Sequence, residues 1–343
     1  MNNISRRKLF SYAGGAAALA ASSSYGFAQT TRPLVVGVYA GVFENAVRET
    51  FAKNFTARTG VPVEFSIGGP PQWLSQVKAN PQHPPVDVIM GSVRDAIREG
   101  AAGLLDPVSA EVLPNMVDIP AHFVEMCNGY GVPFDYGATG LAYNSDRISN
   151  PPKSFKEFIE RTVAGEWIAA VPSIEWAFTP SWLIWSLNDV LGGTVDNIEP
   201  FMEAMQRMKP NLVSFSGLAE FVTLLESGEA DIGVYPDGRT WAQHFAGSSW
   251  LRFIDPEEGS LIDFVAPLKP KNSHPAAWDF INTMLDPVEQ ARFAELTYNG
   301  MTNEKVVYSD RVKDIITPWQ GARIAPAEAV AAATPGWVER WNR

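Results

Sequence analysis

Nucleophiles and metal ligands are sparse along this chain, and the side chains that could act together are aromatic or charged. Four histidines, His83, His122, His244 and His274, stand far apart, and Cys127 is the only cysteine. They offer no ligand set for zinc or an iron–sulfur cluster, and no cofactor is expected. The sequence contains no G-x-S-x-G elbow, no G-x-G-x-x-G, no P-loop and no H-E-x-x-H. What remains is a set of aromatic residues at Tyr39, Phe43, Trp73, Tyr136, Trp176, Trp182, Trp185, Tyr235 and Trp241. Aromatic faces supply apolar walls and attract cations, and tyrosine hydroxyls can orient a polar ligand. Charges lie close by in sequence. Glu44, Asp135, Glu175 and Asp237 could each receive an ammonium, whereas Arg94 and Arg239 could grip a carboxylate or phosphate through paired hydrogen bonds. Ser92 and the backbone amides after it add an anion site of the helix N-terminal kind. Plainer readings stand beside these. Trp182 and Trp185, three apart, fit a helical core stripe, and each charge fits a solvated surface or a cap.

The elements that must position these residues are legible in the hydrophobic pattern. "PLVVGVYAG" reads as a strand, and "FENAVRETFAKNFTARTG" spaces Phe43, Val47, Phe51 and Phe55 by four before ending on Gly60, a helix cap. "VPVEFSIGG" alternates as a strand, "PPQWLSQVKAN" is a helix with a proline start, and "PVDVIMGS" is a buried strand leading into the helix "VRDAIREGA". Strands alternating with helices over residues 33–105 predict a parallel α/β sheet. Ligand sites in such sheets lie at the carboxyl ends of strands, which points to residues 38–45, 67–73 and 90–95. A second α/β unit follows, with "EWIAAV" and "ADIGVYPDG" as strands and "PSWLIWSLNDVLGG" and "IEPFMEAMQRMKP" as helices.

Composition bounds where the chain works. Residues 1–28 divide into a basic start (Arg6, Arg7, Lys8), a small-residue apolar stretch and Gly26-Phe27-Ala28 as a cleavage site, the pattern of a bacterial export signal. The Arg6-Arg7 pair, with Ser5 before it and Leu9-Phe10 after, resembles a twin-arginine signal, although an ordinary secretory signal could carry the same pair. A periplasmic location is the expectation by either route. The chain has 27 basic and 38 acidic residues, and removing the signal takes away only basic ones. Nucleic acid is therefore excluded as an expected partner. At 343 residues the chain exceeds what one core usually serves, so two lobes are expected, held without disulfides.

An ordered set of segments resembles the periplasmic solute-binding proteins of ABC transporters. "GVPFDYGATGLAYNSDRI" (131–148) is similar to the family segment in which a Val-Pro-Phe-like tripeptide precedes a strand ending in "AYNSD", and "PPKSFKEFIE" is similar to the helix start that follows it. Further similarities lie at "GEADIGVYPDGRTWA" (228–242), across residues 256–295 and at "NGMTNEKV" (299–306). The nearest branches are the polyamine binders and the binders of sugar phosphates and phosphonates. The resemblance implies a two-lobe α/β clamshell of type II with two crossover hinge strands. Lobe 1 would span 29–138 and 266–343, and lobe 2 would span 139–265. It implies capture of a small polar metabolite in the cleft for an inner-membrane ABC permease, by a monomer that is not an enzyme. Tyr136 and Tyr235 fall where family members line the cleft. The late Trp-x-Asp pair of the polyamine branch falls on Asp263-Phe264-Val265, so Asp263 could substitute for the amine-gripping carboxylate. The segment after Gly68 is closer to the phosphate branch, and ligand charge stays open. An exported two-lobe hydrolase or transferase, and a ligand sensor docking on a membrane receptor, are the alternatives.

Overall fold

The computed structural model describes residues 32–342; the export signal expected over 1–28 lies outside the described residues. Ten strands form one sheet: β1 (Leu34–Val38), β2 (Val63–Ile67), β3 (Val88–Ser92), β4 (Asp135–Asn144), β5 (Ala169–Pro172), β6 (Leu212–Phe215), β7 (Ile232–Pro236), β8 (Leu251–Ile254), β9 (Leu261–Leu268) and β10 (Gly300–Met301). The main path runs β2-β1-β3-β9-β4-β7-β5-β6, and β10 and β8 pair with the two ends of β4.

Two parallel triplets flank an antiparallel centre. β2, β1 and β3 are parallel, as are β7, β5 and β6, because helices cross over between consecutive strands. Between them β9 and β4 run antiparallel to each other and to their outer neighbours β3 and β7. The two triplets consequently point in opposite directions, and their carboxyl ends face each other across the central pair. Ser92, which ends β3, lies opposite Val265 and so level with Asp135. Pro236, which ends β7, lies opposite Thr139. The gap between the two ends is four residues of β4, about 13 Å at the rise of an extended strand. β4 begins at Asp135, directly after Val132-Pro133-Phe134, which draws Asp135 and Tyr136 into the sheet.

Each triplet has its own core. The first draws on residues before Ala138 and after Ile262, with Phe43, Phe51, Phe134 and Phe293 packed at ring-centroid distances of 5.1–6.3 Å. Cys127 is fully buried there. The second side comprises Leu141 to Leu261 in two adjoining clusters. The sequence expectation grouped all of 266–343 with the first lobe, but Val330 and Trp337 of the final helix, Ala327–Trp341, belong to the second core. The Trp337 indole N–H donates to Val195 O at 3.0 Å and Trp341 stacks on Phe201, so the aromatic face of this helix packs on the second side.

Two buried carboxyls hold the centre together. Asp237, just after β7, accepts hydrogen bonds from the Ala138 and Gly238 amides and from the Thr317 hydroxyl, tying β4, the β7 end and the C-terminal segment to one group. Asp135 opens β4 and accepts from Asn299 Nδ2 at 2.8 Å, while its other oxygen has no partner. β10 lies so close to β4 that a Cβ on Gly300 would meet the Tyr136 ring at about 2.0 Å, so only glycine fits.

Burial pushes both carboxyls up to about 7, against hydrogen bonds that lower them only in part. The folded state thus binds protons that the unfolded chain, titrating near 3.8, has already lost. Their effect is that stability falls as pH rises from about 4 to 7, then levels off. Paired surface carboxyls such as Glu157, held low by the Lys153 amide and Arg161, act only at more acid pH. Calorimetry should therefore show Asp135→Asn raising Tm by a few degrees at pH 8 and by much less at pH 5; an equal change at both would contradict the assignment. Burial also pushes the Cys127 thiol up to about 12. Ellman's reagent at pH 8 should leave the folded protein unlabelled and modify one thiol per chain once it is unfolded.

Candidate functional site

A cavity of about 470 Å³ occupies the gap between the facing strand ends. Its floor is the central pair, with Gly137 and Thr139 from β4 and Asp263, Phe264 and Val265 from β9. The first side contributes Tyr39, Phe43 and Ser92; the second contributes Phe178, Ser181, Trp182, Leu218 and residues 236–239; Thr297 and Asn299 close one end. Strand carboxyl ends meet here from both directions, so loops and helix starts converge on one space.

Asp263 sits near the middle of the floor, in register with Gly137. Its carboxylate accepts a hydrogen bond from Trp182 Nε1 at 2.7 Å, and no Lys or Arg among the described residues pairs with it. Solvent reaches this side chain through the open cavity, yet protein surrounds it, and this desolvation raises its pKa despite the indole bond. An anion so placed gains from a cation. The walls beside it are aromatic. Phe178 stacks on Trp182 at 4.7 Å, and Trp176 meets both edge-on at 5.4 Å. On the opposite wall Tyr39 packs between Phe43 at 5.4 Å and Trp73 at 5.8 Å. Burial holds the Tyr39 hydroxyl above its ordinary value, so it stays a neutral donor.

Trp182 reaches Asp263 because of its helix. Pro180–Trp185 is wound as a π-helix before Ser186–Val190 resumes the α form. Trp182 and Trp185 are both buried in the second core, as a helical stripe implies, although the turn that carries them is wound more widely than an α-helix. Trp182 meets the carboxylate while Trp185 lies against Arg323. Asn299 arrives by a different local device. The helix Pro287–Thr297 ends on Tyr298 in the left-handed conformation (φ 60°), a non-glycine cap that turns the chain so that Asn299 reaches both the cavity and Asp135.

Of the residues singled out by sequence, the structure brings Tyr39, Ser92, Asp237, Arg239 and Asp263 together around the cavity. Ser92 caps the helix Val93–Ala101, its hydroxyl donating to Asp95 Oδ2 at 2.7 Å and accepting from the Asp95 amide. Asp237 is spent on its three internal bonds. Arg239 lines the cavity without an ion-pair partner among the described residues. The other positions lie elsewhere. Trp73 is fully buried behind Tyr39, and Asp135 is fully buried, with Asn299 donating to it. Tyr136 and Tyr235 are core residues whose hydroxyls donate to Thr317 O at 3.1 Å and Leu218 O at 2.9 Å. Glu44 pairs with Arg48 at 2.6 Å, and Glu175 is an exposed residue outside the cavity. Trp176 braces Trp182 from behind. Arg94 lines a second, wider cavity bounded by the final helix. Phe43 and Trp182, which the sequence offered as aromatic candidates, also line the cavity, whereas Phe178, Ser181, Thr297 and Asn299 were not assigned a ligand-lining role from sequence; the only sequence signal for Asn299 was its place at the head of "NGMTNEKV".

The profile described as "Bacterial extracellular solute-binding protein" matches residues 50–317. A thiamine-binding periplasmic protein of Brucella suis biovar 1 is 30% identical over 276 residues, 78% of each chain. A spermidine/putrescine-binding periplasmic protein of Salmonella typhimurium is 23% identical over 252 residues, 71% of each. Among solved structures, a Bordetella parapertussis protein assigned to the extracellular solute-binding proteins superposes with a TM-score of 0.82 at 28% identity, covering 90% of this chain and 97% of its own. With a two-lobe α/β fold whose facing strand ends enclose a cavity, the chain belongs to the bacterial extracellular solute-binding protein family, the components of ABC transporters that bind small solutes.

Proposed function

We propose that this protein captures a small organic cation in the periplasm, with Asp263 as the charge partner and Tyr39, Phe178 and Trp182 as the walls, and hands it to an inner-membrane ABC permease. The carrying observation is the Asp263 carboxylate, which bonds to Trp182 Nε1 and to no protein cation, in an aromatic cavity. An ammonium or quaternary nitrogen there would form a charge-assisted contact worth about 1.5–3 kcal/mol and cation–π contacts worth about 2 kcal/mol when desolvated. Those terms, with apolar burial, are of the right order for the roughly −8 kcal/mol of a micromolar complex. Relatives named for thiamine and for spermidine and putrescine, all organic cations, support the class.

The anion alternative keeps only part of its support. Ser92 is engaged by Asp95, Arg94 lines an adjoining cavity that shares Asp263, Phe178 and Ser181 with this one, and Arg239 lines the same cavity as the Asp263 carboxylate, whose charge an anion alone would also meet. Binding without bond-making is the reading favoured over hydrolysis, since the Ser92 hydroxyl serves a helix cap. The protein would act as a monomer. Lobe closure about β4 and β9 would bring the second side onto a ligand seated on Asp263, a μs–ms hinge motion.

The test is calorimetric titration of the mature protein, residues 29–343, after unfolding and refolding to strip carried-over ligand. Thiamine, putrescine or spermidine should bind, with Asp263→Asn weakening the complex by about 10- to 100-fold while leaving the melting temperature of the free protein within a few degrees. Unchanged affinity in Asp263→Asn, or binding only by sugar phosphates and phosphonates, would overturn the proposal. Trp182→Phe, which keeps the ring but removes the N–H, should cost about tenfold and shift the emission change seen on binding.

A further inference from the structure

Resting on the organic-cation reading of the same cavity, we infer that the ligand is a zwitterion, whose carboxylate or phosphate is taken by Arg239 while its cationic nitrogen sits on Asp263. Both charged side chains line the one cavity, and neither is ion-paired with another protein group among the described residues. Asp263 lies within β9 and Arg239 in the helix that follows β7, on opposite sides of β4. No ion pair joins the two side chains among the described residues, so each is left to the matching end of a small molecule in the cavity they share.

Closure sharpens the requirement. A guanidinium in an enclosing apolar cavity costs several kcal/mol unless something pairs with it. Asp237, two residues away, cannot serve, because its oxygens are committed to Ala138, Gly238 and Thr317. A ligand carrying only positive charge would leave Arg239 unpaired, and a diamine would place its second ammonium against it. Arg239 therefore selects against polyamines and in favour of a molecule that brings its own anion, which a guanidinium can bind through two parallel hydrogen bonds. Specificity comes from one attractive and one repulsive use of the same residue.

Three matched series distinguish this from simple cation capture: primary monoamines of three to six carbons, the diamines of the same lengths, and the corresponding ω-amino acids. Thiamine against thiamine monophosphate gives a fourth comparison. Calorimetric titration of refolded wild-type protein should show that adding the carboxylate or phosphate tightens binding at least tenfold over the parent cation, and that the diamine binds no better than the monoamine. Arg239→Gln should abolish the tenfold advantage, and Arg239→Lys should restore part of it; a folded Arg239→Gln is expected because the side chain makes no internal hydrogen bond. Cations that bind without any gain from the added anion, or a diamine that binds tightest, would overturn the zwitterion inference and leave the cation reading standing. No binding by any nitrogen cation in the four series would overturn both.

Discussion

Everything in this molecule depends on the antiparallel pairing of β4 with β9, which forces two parallel triplets to point at each other. In a single parallel sheet the strand carboxyl ends share one edge, and the loops beyond them face solvent. Here β3 and β7 end four residues apart along β4, and the space between is walled by the loops and helices that follow both. The same two strands are the floor of the cavity and, among the described residues, the only sheet connection between the two cores. Structural continuity and ligand contact thus fall on the same residues. Asp263 and Gly137 are partners in the ladder, and Asp263 is also the charge that faces the cavity.

Charge at this centre is divided by accessibility. Asp135 and Asp237 are fully buried and fix strands and segments to one another, at the cost of raised pKa values. Asp263 is exposed to the cavity, and its single bond to an indole orients the carboxylate without neutralising it. A carboxylate that is held and not paired is a receptor for positive charge, whereas one ringed by amides and a hydroxyl is a fastener. Two aspartates close in sequence to aromatic residues thus do unlike things because of what surrounds them.

The sequence carries the elements more clearly than the contacts. The segment "VRDAIREGA" is the helix Val93–Ala101, and Gly60 takes the left-handed cap conformation that its position implied. Strand-end reasoning also led to Tyr39 and Ser92, and charge close to aromatic residues led to Asp237 and Arg239, all of which surround the cavity. Aromatic residues were harder to place, because Tyr136 and Tyr235 sit within strands covered on both faces and read like Tyr39 in a linear pattern. Trp182 depends on a π-wound turn, Asn299 on a left-handed tyrosine, and the placement of the final helix on an aromatic face whose partner lies more than a hundred residues away. Each arises from a local departure from regular geometry or from a long-range contact, and neither leaves a periodic trace.

The central claim is that Asp263 holds a positively charged small molecule in the cavity, and native mass spectrometry of the protein purified from the periplasm without refolding tests it most directly. The account predicts an added mass in the wild-type spectrum that, on release and fragmentation, proves to be a small nitrogen cation, and its loss from Asp263→Asn. A released molecule without a cationic nitrogen, or one retained at full occupancy by Asp263→Asn, would contradict it.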